Sequence, residues 1–428
     1  MIPIIKTIRE AFSRSGYLAF ISAFSGILVL TLHNDYMPPF IIAWLLFWII
    51  DFALRNWKIS EDERKVRSLL FLFLGLNLVF LIGLFYSDNI HAGSVLFFRR
   101  LSLLVFPILL FSPGYEIKKR IDLLLKVFVA GIIAFIVFCF CYALYRSIIF
   151  RDGSWIFNPY DPVQPWLNYF YGQLLSIDQH PSYVAMYSLL GMFISLEFFS
   201  HKSLKGKVRL LWLITAVFLL VSLYFLSSRA AYLAVLIILP VFIWIKFKPR
   251  KFNLLVIFSL IVLLGLVSLL ILKNQRVRIY FDKSIDPTIL KDGRMEIWKS
   301  ALKVVEKNPL FGAGIGDYYE ALDKEFKQSG FTTGYYKDFN AHNQYLEILC
   351  MVGVFGFLLF LAILGLMIVF AVKDRNILYG AFIMMMLIFF SFESLLSRFA
   401  GNSFFALFSF LLIHYKGSYS VGKTHSES

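Results

Sequence analysis

Apolar runs of about twenty residues follow one another along almost the whole chain, parted by short polar breaks. A helix needs roughly 20 apolar residues to cross the hydrocarbon of a bilayer. Runs of this kind fall near 17–33, 38–54, 67–86, 94–111, 122–145, 181–200, 208–226, 229–245, 252–272, 342–371, 376–396 and 400–415. At Ser227-Ser228-Arg229 a short loop divides what would otherwise be one helix of nearly forty residues. The expected fold is therefore an all-α integral membrane protein with about twelve transmembrane helices.

Composition agrees. The chain is 59% hydrophobic and 16% charged, where a soluble domain is about half apolar and a quarter charged. Its 48 phenylalanines suit a surface facing membrane lipids. A net charge of +15 would suggest nucleic acid in a soluble protein. Here the basic residues sit between apolar runs, so they are read as topology signals and no nucleic-acid partner is expected. Alternate loops carry Arg55, Lys58, Arg64, Lys65 and Arg67; Lys118, Lys119 and Arg120; Lys202, Lys205, Lys207 and Arg209; Lys246, Lys248, Arg250 and Lys251; then Lys373 and Arg375. The short loops between them, His33-Asn34-Asp35 and 87–91, are poor in Lys and Arg. Basic loops stay inside, which places both termini in the cytoplasm. One span more or fewer would break the alternation.

Cys139, Cys141 and Cys350 lie in apolar runs without a CxxC or Cys/His cluster, so neither a disulfide framework nor a zinc site is expected. Residues 1–16 are basic and amphipathic and lead straight into the first apolar run, which does not read as a cleavable signal. The expected organisation is a membrane region over 1–272 with an outer loop at 146–180, a helical outer loop domain over 273–341, three further spans over 342–416, and a disordered tail at 417–428.

The two long outer loops differ. Residues 146–180 are rich in Trp, Tyr, Pro and Asn. Their aromatics (Trp155, Phe157, Tyr160, Trp166, Tyr169, Phe170, Tyr171) suit either sugar stacking or an interfacial belt. Residues 273–341 mix twelve basic with ten acidic side chains. Within them Met295, Ile297, Trp298, Ala301, Leu302, Val304 and Val305 predict a helix over Arg294 to Lys307, preceded by Asp292-Gly293 and ended by Asn308-Pro309. The glycines at 312, 314 and 316 follow no strand and read as a turn-rich link rather than a nucleotide fingerprint.

Several ionisable residues stand at the outer membrane boundary: Arg99, Arg100, Arg229, Arg294, Arg398, Glu393 and His342. Charges at such depth usually face a cavity. Arginine forks suit phosphate oxygens, although each taken singly also fits a lipid-headgroup anchor or an ion pair. Arg229 stands at the mouth of an apolar helical hairpin. His342 opens a long apolar helix beside Asn343, Gln344 and Glu347, as either an ordinary interfacial histidine or a proton acceptor for a hydroxyl. His180, followed by Pro181, stands where the first long loop re-enters the membrane.

His342-Asn343, nine residues, Gly353, two residues, Gly356 is similar to the His-Asn-x9-Gly-x-x-Gly pattern of the O-antigen ligases, relatives of the Wzy-type polymerases. Ser228-Arg229-Ala230-Ala231, Gly293-Arg294-Met295-Glu296-Ile297-Trp298 and Asn308-Pro309-Leu310-Phe311-Gly312-Ala313-Gly314 resemble the same superfamily, in the same order. The resemblance covers about 180–415; the N-terminal half matches only in topology. It implies a bacterial inner-membrane enzyme of GT-C type with a periplasmic active site. Such an enzyme moves a glycan en bloc from undecaprenyl pyrophosphate to a hydroxyl of lipid A–core, inverting the anomeric centre without nucleotide, metal or other cofactor. His342 would be base or acceptor-positioning residue. Arg229 and Arg294 would bind the pyrophosphate. Topology adds Arg99 or Arg100, with Asn343, His180, Glu393 and Arg398 as possible supports. A polymerase extending the glycan on its own carrier, a protein O-oligosaccharyltransferase and a lipid-linked oligosaccharide transporter are the alternatives.

Overall fold

The computed structural model describes residues 2–54, 59, 61–165, 167–247, 293–331, 334 and 339–416, with backbone only at 2–13 and 61–62. The expected span at 252–272, the loop segment 273–292, Trp166 and the tail 417–428 lie outside the described residues.

The chain begins with α1 (Ile2–Leu32), α2 (Pro38–Leu54), α3 (Glu61–Phe85), α4 (Ile90–Arg100), α5 (Ser102–Phe111), the short α6 (Tyr115–Lys119) and α7 (Ile121–Ser147). A hairpin of β1 (Ile148–Arg151) and β2 (Ser154–Phe157) follows, then α8 (Pro181–Phe199), α9 (Gly206–Leu226) and α10 (Arg229–Phe247). After the undescribed stretch come α11 (Gly293–Lys307), α12 (Tyr318–Gln328), α13 (Gln344–Lys373), α14 (Ile377–Phe392) and α15 (Phe399–Leu411). Among the described residues nine helical stretches are long and apolar enough to cross a membrane, α4 and α5 together forming one; α14 and α15 are shorter apolar helices.

Local chemistry sets the breaks. Ser227 takes a left-handed backbone, φ 55°, and ends α9, so α10 starts afresh at Arg229. The expected span over 94–111 is present within Ile90–Phe111, as two helices joined at Leu101. The expected helix over 376–396 stops at Phe392, because Glu393 is extended and a 3-10 turn occupies Leu395–Ser397. The all-helical expectation also missed the antiparallel β1–β2 hairpin, paired from Ile148↔Phe157 to Arg151↔Ser154. Asp152 and Gly153 both have positive φ there, the Asp-Gly chemistry of a two-residue hairpin turn.

The described residues fall into two compact units, the first within 2–26, 37–121 and 293–415, the second within 27–36, 122–247 and 416. In the first, α3 packs on α5 and α13, α15 on α5, and α14 on α13. Phenylalanine rings fill this core, with Phe73 5.7 Å from Phe405 and Phe360 5.3 Å from Phe390. Edge-to-face and tilted ring pairs of this kind add to the area that each ring removes from its surroundings. In the second unit α8 packs on α9 and α10. It is buried along its length from Pro181 to Phe198, as expected of a helix apolar on every face.

Candidate functional site

The approach to α13 is built from short side chains that satisfy backbone groups. Asn343 caps the helix: its Oδ1 accepts from the amides of Tyr345 (3.0 Å) and Leu346 (3.2 Å), while its Nδ2 donates to the Ser391 carbonyl (3.3 Å). An N-cap asparagine is among the strongest helix starters, and this one also ties α13 to the end of α14. Asn340 Oδ1 accepts from the His342 amide at 3.0 Å. That bond helps hold His342 at φ 44°, a left-handed conformation in which His is enriched among non-glycine residues. The Ala341 amide donates to Tyr318 Oη at 2.8 Å. Tyr318 is fully buried, and burial pushes its phenol well above the ordinary range.

This turn sets His342 against the loop that follows α14. Glu393 Oε2 lies 3.4 Å from His342 Nδ1, and Oε1 lies 3.6 Å from an Arg294 guanidinium nitrogen. All three side chains keep partial exposure. The Arg294 Cζ also lies 5.8 Å from the Phe392 ring centroid. Arg294 comes from the second residue of α11, which Ile297, Ala301 and Val304 anchor along one buried stripe; those three belong to the apolar spacing seen in the sequence. One carboxylate thus touches both an imidazole and a guanidinium brought from positions far apart in the chain.

Behind this group Glu347 is a fully buried hub. Its carboxylate takes Arg100 at 2.9 Å and the Ser397 hydroxyl at 2.6 Å. Ser397 Oγ receives the Asn340 amide at 3.5 Å and also bonds to the Tyr319 side chain. Burial, then the charge of Glu347, raises the Tyr319 phenol above its ordinary range, so it serves as a neutral hydrogen-bonding group. Arg100 further donates to the Leu96 carbonyl at 3.0 Å. It is buried and paired, whereas Arg99 beside it is exposed. Asn402 Nδ2 reaches the carbonyls of Arg99 (3.1 Å), Leu396 (3.0 Å) and Arg398 (2.9 Å). One buried amide thereby brings the backbones of Arg99 and Arg398 together, and both side chains are exposed.

The glycines of the two sequence patterns meet in one backbone junction. α13 is interrupted at Val352 and Gly353, where Gly353 has φ 63° and ψ −162°. Into this break fits the segment after α11: Ala313 N donates to Cys350 O (2.7 Å), Gly314 N to Met351 O (3.1 Å), and Val354 N to Pro309 O (3.0 Å). A Cβ on Gly353 would collide with the Leu310 carbonyl, and one on Gly312 would stand 2.5 Å from the Met351 carbonyl carbon. The far side of the same segment is held by the loop after α3. Asp317 accepts from the Asp88 and Asn89 amides at 2.8 and 2.9 Å, and Ser87 Oγ accepts from Gly316 N at 3.0 Å.

These residues all belong to the first unit. Arg229 and His180 belong to the second. Arg229 is half-buried in the first turn of α10. His180 caps α8 by accepting from the Ser182 amide at 3.3 Å, with Pro181 in the first helical turn. Of the residues singled out in the sequence, the structure brings His342, Arg294 and Glu393 into one group, seats Asn343 beneath it, and sets Arg99 and Arg398 together at Asn402. Sequence reasoning missed Asn402, Ser397, Tyr318 and Tyr319. A polar Asn inside an apolar helix was the available signal for the first.

Residues 214–361 match the family model described as O-Antigen ligase. This stretch, about a third of the chain, is similar to the O-antigen ligases. The matched stretch holds Arg229, Arg294, His342 and the Gly353 junction, so the ligase pattern and the structural cluster coincide over α11 and the start of α13. The chain is also 23% identical over 404 residues to a Haemophilus influenzae protein named "Uncharacterized protein", covering 89% of this chain and 93% of that one. The likeness to that relative therefore extends past the stretch 214–361 through most of the membrane helices.

Proposed function

We propose that this protein is a membrane glycosyltransferase that moves a glycan en bloc from undecaprenyl pyrophosphate to a hydroxyl of lipid A–core on the periplasmic face of the inner membrane. The observation that carries this reading is the Glu393 carboxylate between His342 Nδ1 and Arg294, inside a chain whose ligase-like stretch includes the latter two. In this reading Glu393 accepts the Nδ1 proton of His342, which leaves Nε2 with its lone pair for the acceptor hydroxyl. The hydroxyl oxygen attacks the anomeric carbon as its proton passes to Nε2. The bond from that carbon to the pyrophosphate oxygen breaks, and the lipid pyrophosphate leaves with the bonding pair. Attack opposite the leaving group inverts the anomeric centre.

Charge developing on the leaving oxygen is best met by preorganised donors in a water-poor setting. Arg294 is assigned that task, and the likeness of Ser228-Arg229-Ala230-Ala231 to the ligase pattern assigns Arg229 to it as well; Arg99 and Arg398, whose backbones meet at Asn402, are further exposed guanidiniums of the first unit. Arg100 is assigned a structural role, because Glu347 already balances its charge. The reading uses no metal, takes the GT-C type of fold, and places twelve spans with both termini in the cytoplasm. The test is transfer from purified polyprenyl-pyrophosphate glycan to purified lipid A–core with EDTA present. Wild type should transfer, and His342→Ala should lose about 10²–10⁴-fold at unchanged expression. Extension of the lipid-linked glycan with lipid A–core left unmodified would favour the polymerase reading. Strict metal dependence, or full transfer by His342→Ala with Arg229→Ala, would sink this mechanism.

A further inference from the structure

The second unit contains a cavity that the transferase reading does not use. It has a volume of about 240 Å³ and is lined by Leu32, Ala134, Phe135, Phe138, Ile177 and the polar residues His33, Asp178 and Gln179. That is roughly the liquid volume of eight waters at about 30 Å³ each, enough for a small polar head but not for a whole lipid. Its apolar wall opens outward, since Phe138 on α7 and Leu32 at the end of α1 are 58% and 38% exposed. On a membrane helix such exposure means contact with acyl chains.

The polar end is under-satisfied. Gln179 is only 6% exposed, and its Nε2 donates to the Leu32 carbonyl at 2.9 Å, which fixes which amide atom is the oxygen. Its Oε1 is buried with no hydrogen-bond partner among the described residues, and so is His33 Nδ1. Buried polar atoms are nearly always paired, so two orphans in one cavity call for an occupant. Ile177, on the same wall, has φ 56°. A β-branched residue in that region is a genuine outlier, and such strain gathers at ligand clamps. Here it holds Asp178 and Gln179 in the turn closed by Gln179 N to Ser176 O at 3.1 Å.

The available groups are an amide oxygen, a carboxylate and an imidazole nitrogen that can accept. They call for a ligand rich in N–H donors, and the Asp178 carboxylate favours positive charge on it. We infer that this cavity binds the primary ammonium head of a membrane phospholipid of the phosphatidylethanolamine type, with the acyl chains lying along Leu32, Ala134 and Phe138. The site is independent of the proposed transfer reaction and of every residue assigned to it.

Three lipids with identical acyl chains separate the contributions. Phosphatidylethanolamine offers charge and N–H donors, phosphatidylcholine offers charge without donors, and phosphatidylglycerol offers hydroxyl donors without positive charge. The full-length protein is purified, exchanged into equimolar mixtures of the three, and its retained lipid is weighed by native mass spectrometry. Phosphatidylethanolamine should be retained about tenfold over each of the others. Gln179→Leu and Asp178→Asn should each bring that preference toward parity. Ala134→Trp, which fills the cavity from its lipid side and leaves the polar groups intact, should remove it too, and decides the matter if the polar variants do not yield folded protein. Equal retention of the ethanolamine and choline lipids overturns the inference. So does retention of the glycerol lipid at the level of the ethanolamine one, or a preference unchanged in Ala134→Trp.

Discussion

At residue scale, two carboxylates only forty-six positions apart behave in opposite ways because of where they sit. Glu347 is fully buried against Arg100, so removing it would strand a guanidinium with no water to take the carboxylate's place. Breaking a buried pair from one side typically costs about 3–5 kcal/mol. Glu347→Ala should therefore lower thermal stability steeply in a detergent melt, whereas the double change Glu347→Leu with Arg100→Met should recover most of the loss. Glu393 keeps partial exposure beside Arg294 and His342, and pairs of that kind are worth about 0–1 kcal/mol. Glu393→Gln should accordingly melt near wild type while its transfer rate falls by about a hundredfold, the low end of what a positioned base contributes. A fall in melting temperature that tracked the loss of rate would assign Glu393 to structure instead. His342 and Arg294 could be picked out from the sequence as polar residues beside apolar runs. Glu393 stood among the same boundary charges, but that its one carboxylate meets both of them could not be read there, because the contact depends on Glu393 leaving the helix after Phe392.

At the scale of elements, the informative feature is a helix that is interrupted. Read as hydropathy, 342–371 is one long span. In the structure α13 breaks at Val352–Gly353, and the segment after α11 completes the ladder across the gap. Gly353 lies close to a region of φ and ψ open in practice to glycine alone, a strain of about 1–3 kcal/mol for any other residue. A side chain there would also strike the Leu310 carbonyl. Gly353→Ala should lower stability by more than that strain, read as a large drop in melting temperature and in yield. Gly365, in the same helix, meets nothing within 4 Å. Gly365→Ala should be neutral or stabilising by about 0.5–1 kcal/mol. Equal tolerance of both changes would mean that the junction is not closed in solution. The paired glycine patterns were visible in the sequence, but their reason was not: each glycine is small because the other strand of backbone lies against it.

For the whole molecule, the first unit draws on both ends of the chain. The loop at 87–89 receives 316–317, and Arg100 receives Glu347. The stretch 214–361 that matches the ligase model is thus not self-sufficient, since its buried Glu347 and its docked segment take partners from the first hundred residues. A fragment over 180–428 expressed alone should be degraded or inactive, and co-expression with 1–179 should restore membrane-stable protein measured by immunoblot. Stable accumulation of the C-terminal fragment by itself would contradict this. The alternating basic loops make a second prediction at this scale. A cysteine placed at Asp35 or Gly153 should react with a membrane-impermeant maleimide in cells with a permeabilised outer membrane, and one at Lys119 should not.

By itself the sequence determined that the chain is a bundle of membrane helices, where most of those helices lie, and which ligase-like residues stand near their ends. Hydropathy and loop charge act locally, so they are legible one segment at a time. Only the tertiary structure decided which polar residues are partners. A buried carboxylate looks the same in sequence whether it neutralises Arg100, as Glu347 does, or sits half-exposed between His342 and Arg294, as Glu393 does. The difference arises from long-range packing and from two interruptions, at Gly353 and at Glu393, where the backbone leaves the helix. Hydropathy carries no signal for the first, because the residues around Gly353 are as apolar as those of an unbroken span; around Glu393 the polar Ser391, Ser394, Ser397 and Arg398 announce a helix end but not what Glu393 meets there.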